Sequence, residues 1–298
     1  MNISKLETFL VLAECLSFSD AAEKLFCSQP SVSMQIQRLE EELKTKLFDR
    51  LGKKVYLTKQ GEDFKPYAER IVNLTKAAKE HLQQTDDLMH GTLSFGASHF
   101  VGVYLLPIIL KQFHERFPNV KIDMAVKSSK ELIHQLGVNE LELLILSDQI
   151  VFDRNIYSSN TFYKDELILV VPPEHSLATK KAVQFSDLQN ELFLLKPDKS
   201  ATRIFLDSKL GALNFSISDY MEISSLEGIK QGVIHGLGIS FISKFAIKEE
   251  IKNGLLVEVP LEEIRLERGV NYIHHKTKHL SPAISEFISL LKNASESI

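Results

Sequence analysis

The stretch AAEKLFCSQPSVSMQIQRLEEEL, residues 21–43, contains two amphipathic helical patterns separated by a short break. The second pattern begins with Ser28 as its N-cap and Pro30 in its first turn, where the missing N–H leaves no helical hydrogen bond unmade. Apolar residues then recur at the three- and four-residue spacing of a buried helix face. These residues are Val32, Ile36, Leu39 and Leu43. The stretch therefore predicts two helices joined by a tight turn.

The preceding residues predict a further helix and the start of this pair. Leu6, Phe9, Leu10 and Ala13 follow the spacing of a helix with one buried face. Ser19 is the expected N-cap of the first helix of the pair. Acidic residues in the first turn, here Asp20 and Glu23, favour a helix because they complement its dipole.

The second helix of the pair carries small and polar side chains away from its apolar stripe. Such side chains suit a major groove about 12 Å wide, which the second helix of a helix-turn-helix protein enters. Two short helices with polar faces also occur in proteins without a nucleic-acid partner, so the pattern alone leaves both interpretations open. The candidate DNA-binding residues are Ser28, Gln29, Pro30, Ser31, Ser33, Met34, Gln37 and Arg38.

The next segment is basic, although the whole chain of 298 residues has a net charge of −4. Residues 44–60 contain six lysines and arginines but a single acidic residue. The sequence DRLGKKVYLT within this segment predicts a small β-hairpin, or wing. Arg50, Lys53 and Lys54 on this wing are candidates for contacts with DNA phosphates.

A long helical pattern follows from Thr58 to about Met89, with Pro66 near its start. About thirty residues of helix measure about 45 Å. A lone helix of that length with an apolar stripe needs a partner, and self-association is the simplest way to supply one.

Strand and helix patterns alternate after Gly91, which indicates α/β lobes with parallel sheet. We predict three domains: DNA-binding residues 1–58, a linker and dimerisation helix at 59–90, and a ligand-binding domain at 91–298. Lobe I comprises residues from about 91 to 162 and from 266 to 298, and lobe II residues from about 163 to 265.

Residues at strand ends and helix starts, most of them polar, should converge between the lobes and bind a small anion. These candidates are Ser98, His99, Phe100, Ser128, Ser129, Ser147, Ser200, Thr202, Arg203, Ile223 and Ser224.

Other classes of site find little support in the sequence. Two cysteines, Cys15 and Cys27, indicate neither a disulfide framework nor a zinc site, and we expect no metal, cofactor or catalytic residue. No apolar run approaches about 18 residues, and the N-terminus does not have the pattern of a signal peptide, so we expect a cytoplasmic protein without membrane association.

An enzyme carrying a helix-turn-helix remains an alternative, since Ser98 and His99 are adjacent. A pure binding or transport protein is another alternative.

The first 61 residues resemble the DNA-binding module of LysR-type transcriptional regulators. The shared positions are Phe18, Ser19, Ala21, Ala22, Leu25, Ser28, Gln29, Pro30, Val32, Ser33, Ile36, Leu39, Glu40, Leu43, Leu47, Phe48, Arg50, Leu57, Thr58 and Gly61. The stretch at Ser200, Thr202 and Arg203 is similar to the family's Ser-Gly-Thr-Arg motif in the effector pocket. The sequence departs from the family at Leu16 and Lys44, where glycine is usual.

The resemblance extends over the whole chain and implies a fold and a mode of action. The expected fold is α/β with an all-α N-terminal part: a winged helix-turn-helix, a long dimerisation helix and a two-lobed effector domain like those of periplasmic binding proteins. The resemblance implies a homodimer that assembles into a tetramer on double-stranded DNA with an inverted-repeat operator. A small-molecule effector would change the orientation of the lobes and the spacing of the DNA-binding heads.

Overall fold

The computed structural model describes residues 1–52, 54–83, 91–278 and 280–294. The chain divides into two compact units. The first unit comprises Met1–Asp87 with His134–Leu141, and the second comprises Leu88–Ile133 with Glu142–Ile298.

The first unit contains the predicted winged helix-turn-helix. Its elements are α1 (Ile3–Cys15), α2 (Phe18–Lys24), α3 (Gln29–Leu43), β1 (Phe48–Leu51), β2 (Lys54–Leu57) and α4 (Lys59–Gln83). The strands β1 and β2 pair antiparallel and form the wing. The apolar positions of α3, including Val32 and Leu39, are buried in one core with residues of α1, α2 and α4. This burial explains why the spacing in the sequence located the helices correctly.

Helix α2 begins two residues earlier than an N-cap at Ser19 would require, so that prediction was wrong. Ser17 has the extended backbone of an N-cap, and its side chain accepts a hydrogen bond from the Asp20 N–H at 3.3 Å. The start at Ser17 places Phe18 in the helix, where its side chain is buried in the core. The side chain of Ser19 is exposed in the first turn.

Helix α4 begins at Lys59, where the hydroxyl of Thr58 accepts a hydrogen bond from the Gly61 N–H at 2.9 Å. A Cβ at Gly61 would lie 2.2 Å from the Leu47 carbonyl oxygen, so only glycine allows this close approach. The helix continues through Pro66 to Gln83. Residues 84–90, which include the predicted helix end near Met89, lie outside the described residues.

The second unit is built on a mixed seven-stranded sheet. Its strands are β3 (Thr92–Ala97), β4 (Lys121–Val126), β5 (Leu143–Ser147), β6 (Tyr157–Val171), β9 (Ser240–Ser243), β10 (Val257–Val259) and β11 (Leu266–His275), while β7 (Phe193–Leu195) and β8 (Tyr220–Glu222) pair separately. The helices around them are α5 (Leu106–Arg116), α6 (Ser129–Gly137), α7 (Ala201–Gly211), α8 (Leu226–Ile234), α9 (Lys248–Lys252) and α10 (Pro282–Ala294). Strand β3 runs parallel to β4 and β5, as the alternation of strands and helices predicted.

Two long antiparallel strands, β6 and β11, run through both lobes of the second unit. Apolar cores lie on either side of the point where they cross from one lobe to the other. The core of lobe I includes Phe95, Phe113 and Phe287 of α10, and that of lobe II includes Phe193 and Phe205. The predicted boundary between residues 162 and 163 therefore falls inside one continuous strand. The predicted ligand-binding residues at the strand ends line a cleft whose walls are connected by β6 and β11.

Candidate DNA interface and effector cleft

The outer face of α3 presents the predicted DNA-binding residues together. Ser28, Gln29, Pro30, Met34, Gln37 and Arg38 are exposed, and Ser31 and Ser33 are half-buried. Ser28 occupies the N-cap position, but its hydroxyl makes no capping hydrogen bond, so it is free to bind another group. The amide of Gln37 donates to Glu41 on the next turn at 2.9 Å.

The wing contributes its basic side chains next to this face. The Arg50 guanidinium donates from Nη2 to the Ser33 hydroxyl at 3.2 Å and lies over the Phe18 ring, 4.1 Å from the ring centre. The side chain of Lys54 is exposed on β2. Lys53, also predicted to bind DNA, lies outside the described residues.

A buried carboxylate, that of Glu40, fixes the wing to α3. Its Oε1 accepts hydrogen bonds from the backbone N–H groups of Leu47 and Phe48, at 2.9 and 3.2 Å, and its Oε2 lies 2.7 Å from the Lys46 ammonium. Because β1 begins at Phe48, these bonds set the position of the wing relative to the DNA-binding face. Glu40 is one of the positions that carry the family resemblance of the sequence, but the resemblance did not indicate this role.

The predicted effector-binding residues converge on a cavity of about 570 Å³ between the two lobes. Ten of the eleven line it, from Ser98, His99 and Phe100 on lobe I to Ser200, Thr202 and Ser224 on lobe II. Ile223 is the exception among them, because its side chain packs against the core of lobe II. The carboxyl ends of β3 and β5 and the start of α7 account for most of this convergence.

Several of these polar groups already have partners within the chain. The Ser128 hydroxyl and N–H donate to the Glu131 carboxylate at 2.5 and 3.1 Å, so they cap α6. These hydrogen bonds lower the pKa of Glu131. The Arg203 guanidinium donates from Nε to Asp207 and lies over the Tyr220 ring at 4.5 Å. Ser128 and Arg203 both line the cavity, but the ion pair with Asp207 largely compensates the charge of Arg203.

Five basic residues of the cavity lining were not predicted from the sequence: Lys127, Lys130, Lys196, Lys199 and Arg268. Arg268 on β11 is buried, forms an ion pair with Asp165 at 2.7 Å and donates from Nη1 to the Thr202 hydroxyl at 2.9 Å. Lys196 follows β7 and donates to the backbone carbonyl of Ser224. No strand-end or helix-start rule selects a residue inside the long strand β11, which explains why Arg268 was missed.

Burial lowers the pKa values of two basic groups in the cleft, Lys196 and His99. Burial lowers the pKa of the Lys196 ammonium. Burial and, to a lesser extent, the positive charge of Lys196 lower the pKa of His99 on the opposite lobe. Both shifts disfavour positive charge on Lys196 and His99. An anion bound next to these side chains would raise both pKa values.

Within residues 1–52, 54–83, 91–278 and 280–294, no cluster of His, Cys, Asp or Glu side chains is arranged to hold a metal ion. In the same part of the chain, no helix has the length and apolar character needed to cross a membrane.

A winged helix-turn-helix and a two-lobed ligand-binding domain in one chain define a class of transcriptional regulators. Residues 3–62 match the family model of the bacterial regulatory helix-turn-helix protein, lysR family, and residues 86–296 match that of the LysR substrate binding domain. The chain belongs to the LysR family of transcriptional regulators.

Similar proteins resemble the chain over nearly its whole length. A probable RuBisCO transcriptional regulator of Cyanidioschyzon merolae is 32% identical, covering 98% of each chain. The HTH-type transcriptional regulator CysL of Bacillus subtilis is 30% identical, covering 98% of this chain and 97% of CysL. The crystal structure of full-length CbnR complexed with its target DNA has a TM-score of 0.71 and 20% identity, covering 99% of this chain and 100% of CbnR, and therefore supports the fold.

Proposed function

We propose that this regulator binds an inverted-repeat operator through α3 and the wing, and that a small anion bound between lobes I and II controls this binding. The proposed division is residues 1–58 for DNA binding, 59–90 for dimerisation and 91–298 for effector binding. We further propose that the protein acts in the cytoplasm and catalyses no reaction. The observation that carries the proposal is the joint presentation of the α3 face and the wing, which Arg50 connects through Ser33.

The proposed roles on DNA follow from the chemistry of the side chains. Gln29, Ser33 and Gln37 can exchange hydrogen bonds with base edges in the major groove. Arg50, Lys53 and Lys54 carry positive charge to the phosphates and set the position of α3. In this arrangement the wing provides affinity and α3 provides sequence preference.

Helix α4 supports dimerisation because it has a second apolar face. Ala68 and Val72 are buried in the core of the first unit, whereas the side chains of Tyr67 and Leu74 are 61% and 56% exposed. Residues seven apart lie on the same face of a helix, so Tyr67 and Leu74 form a stripe that a second copy of α4 can cover. Assembly of two dimers into a tetramer is the corresponding proposal for the full oligomer.

The cleft supports control by an anion because the described residues of its lining include lysines, arginines and hydroxyls but no carboxylate. The lobes are connected by β6 and β11, so a ligand that contacts both walls can change their relative orientation. Such a ligand controls DNA binding only if its affinity differs between the two orientations.

An enzyme with an autoregulatory helix-turn-helix would need a nucleophile and a base in the cleft. Ser98 and His99 both line the cavity, but in the described part of the chain no hydrogen bond joins the Ser98 hydroxyl to the His99 ring. A general base must lie within hydrogen-bond reach of the proton that it removes. The positions of these two residues therefore favour ligand binding over nucleophilic catalysis.

A selection from random duplexes with the full-length protein tests the proposed function. We expect enrichment of an inverted repeat and protection of two half-sites in footprinting, since a symmetric dimer places its recognition helices on symmetric sequences. Leu74→Glu should reduce dimer formation and operator affinity, while Lys181→Glu, an exposed change elsewhere, should not. A selection that enriches no sequence, or a Leu74→Glu protein that remains dimeric, would contradict the corresponding part of the proposal.

A further inference from the structure

We propose that the effector carries two separated anionic groups, one bound by lysines of lobe I and the other by lysines of lobe II. This inference rests on the proposed function, because it names the chemical class of ligand for the same cleft. It goes beyond a general preference for anions, because it requires charge at both ends of one small molecule.

Basic side chains line the cleft on both of its walls. Lys127 and Lys130 line the cavity from lobe I, and Lys196 and Lys199 line it from lobe II. The two arginines of the lining, Arg203 and Arg268, form ion pairs with Asp207 and Asp165. Among the described residues, none of the four lysines forms an ion pair with a carboxylate. A ligand with two separated anionic groups can compensate the lysines of both walls at once.

Buried polar groups indicate that the cavity is shaped for a ligand. The hydroxyl of Ser147, at the end of β5, lines the cavity and has no hydrogen-bond partner among the described residues, although the side chain is only 8% exposed. Lys196 is half-buried, and among the described residues its ammonium has the Ser224 carbonyl as its hydrogen-bond partner. An unsatisfied buried hydroxyl and a partly desolvated ammonium are both stabilised by an anionic or hydrogen-bonding ligand.

The two walls would hold their anionic groups differently. On lobe II the N–H groups at the start of α7, next to the capping Ser200, can add to the lysines. On lobe I the Glu131 carboxylate accepts from the Ser128 N–H and hydroxyl, which places a negative charge at the start of α6. We therefore assign the lobe I group to the side chains of Lys127 and Lys130. Glu131 repels that group, so the lobe I contact should be the weaker one.

The test compares bis-anions with their halves by calorimetry on the full-length protein. The probes are 3-phosphonopropionate and succinate, each with two anionic groups, and propionate and ethylphosphonate, each with one. We expect at least one bis-anion to bind at least about tenfold more tightly than either half, since the second contact is intramolecular. A preference for 3-phosphonopropionate would indicate a phosphorylated effector, and a preference for succinate a dicarboxylate.

Variants on each wall complete the test. Lys196→Gln and the double change Lys127→Gln with Lys130→Gln should each reduce the advantage of the bis-anion over its halves to about twofold or less, whereas Lys181→Gln should leave it unchanged. Glu131→Gln should increase bis-anion affinity. Equal binding of halves and bis-anions, an unchanged advantage in both wall variants, or no binding of any probe would overturn the inference. Specific operator binding by the same preparation would show that the proposed DNA-binding function stands independently.

Discussion

Arg50 of the wing and Ser33 of the recognition helix α3 are joined by a hydrogen bond of 3.2 Å between Nη2 and the hydroxyl. The same guanidinium lies over the ring of Phe18 at the start of α2. One side chain therefore contacts both helices of the helix-turn-helix as well as its own strand. This contact couples the position of the wing to the face that we propose for reading bases.

Arg50→Lys should weaken operator binding although it keeps the positive charge. A lysine ammonium cannot reproduce both the planar stacking on Phe18 and the directed hydrogen bond to Ser33. We expect a loss of about 1–2 kcal/mol, or about 5- to 30-fold in Kd, with an unchanged salt dependence. Fluorescence anisotropy at several salt concentrations measures both quantities. Lys54→Arg is the matched control, and an Arg50→Lys protein with wild-type affinity would show that the contact does not position α3.

Lys44→Gly should stabilise the first unit. Lys44 is the C-cap of α3 and has a φ of 53°, in the left-handed region that costs non-glycine residues about 1–2 kcal/mol. The greater freedom of glycine in the unfolded chain offsets part of this gain, so we expect about 0.5–1 kcal/mol by chemical denaturation. Ala212→Gly at the C-cap of α7, where φ is −61°, should instead destabilise its unit. Stabilisation by both changes, or by neither, would refute the explanation from backbone conformation.

Glu40→Ala should destabilise the first unit by about 2–3 kcal/mol, because it leaves the buried N–H groups of Leu47 and Phe48 without an acceptor. Glu41→Ala removes an exposed carboxylate from the same helix and should change stability by about 0.5 kcal/mol or less. Denaturation curves of the two variants compare a buried acceptor with an exposed one. If they lose the same stability, Glu40 does not anchor the wing.

Anion affinity should rise as the pH falls from about 7.5 to about 6, through the ordinary pKa of histidine and towards the lowered pKa of His99. The pKa of His99 is lowered in the empty cleft, so its protonation there is disfavoured as the pH falls. A bound bis-anion opposes this shift and raises the pKa, so the complex takes up a proton. Succinate is the suitable probe because both carboxylates stay largely ionised over this range.

His99→Gln separates this effect from that of Lys196, whose lowered pKa acts in the same direction at higher pH. We expect the variant to lose most of the pH dependence below about pH 7.5, near the upper end of histidine titration. Calorimetry in buffers of different ionisation enthalpy would count the protons taken up. Unchanged pH dependence in His99→Gln would exclude this histidine as the coupled group.

The helix-turn-helix was predictable because local signals there agree with the tertiary packing. Pro30 in the first turn and the apolar spacing from Val32 to Leu39 define α3, which the structure places at Gln29–Leu43. The N-cap of α2 was predicted at Ser19 but lies at Ser17. The helix start at Ser17 buries Phe18 in the core, and such burial depends on residues distant in the sequence.

The effector cleft was predictable only in part. Strand ends and helix starts located ten of its lining residues, because topology brings such positions to one edge of a sheet. The position of Arg268 depends on the path of β11, whereas Lys196 directly follows β7, a strand end at which the prediction selected no residue. The sequence alone does not identify the ion-pair partner of an arginine in a strand, so it predicts an exposed side chain. Arg268 is instead buried against Asp165.

The central claim is that α3 determines sequence preference while the wing supplies general affinity. The most direct measurement is the Kd of Gln29→Ala and of Lys54→Ala for the selected operator and for a scrambled duplex of the same length. We expect Gln29→Ala to lose about 1–3 kcal/mol of discrimination between the two duplexes. Lys54→Ala should weaken both complexes alike and reduce the salt slope by about 1. Wild-type discrimination in Gln29→Ala together with wild-type affinity in Lys54→Ala would contradict the assignment of this face as the DNA interface.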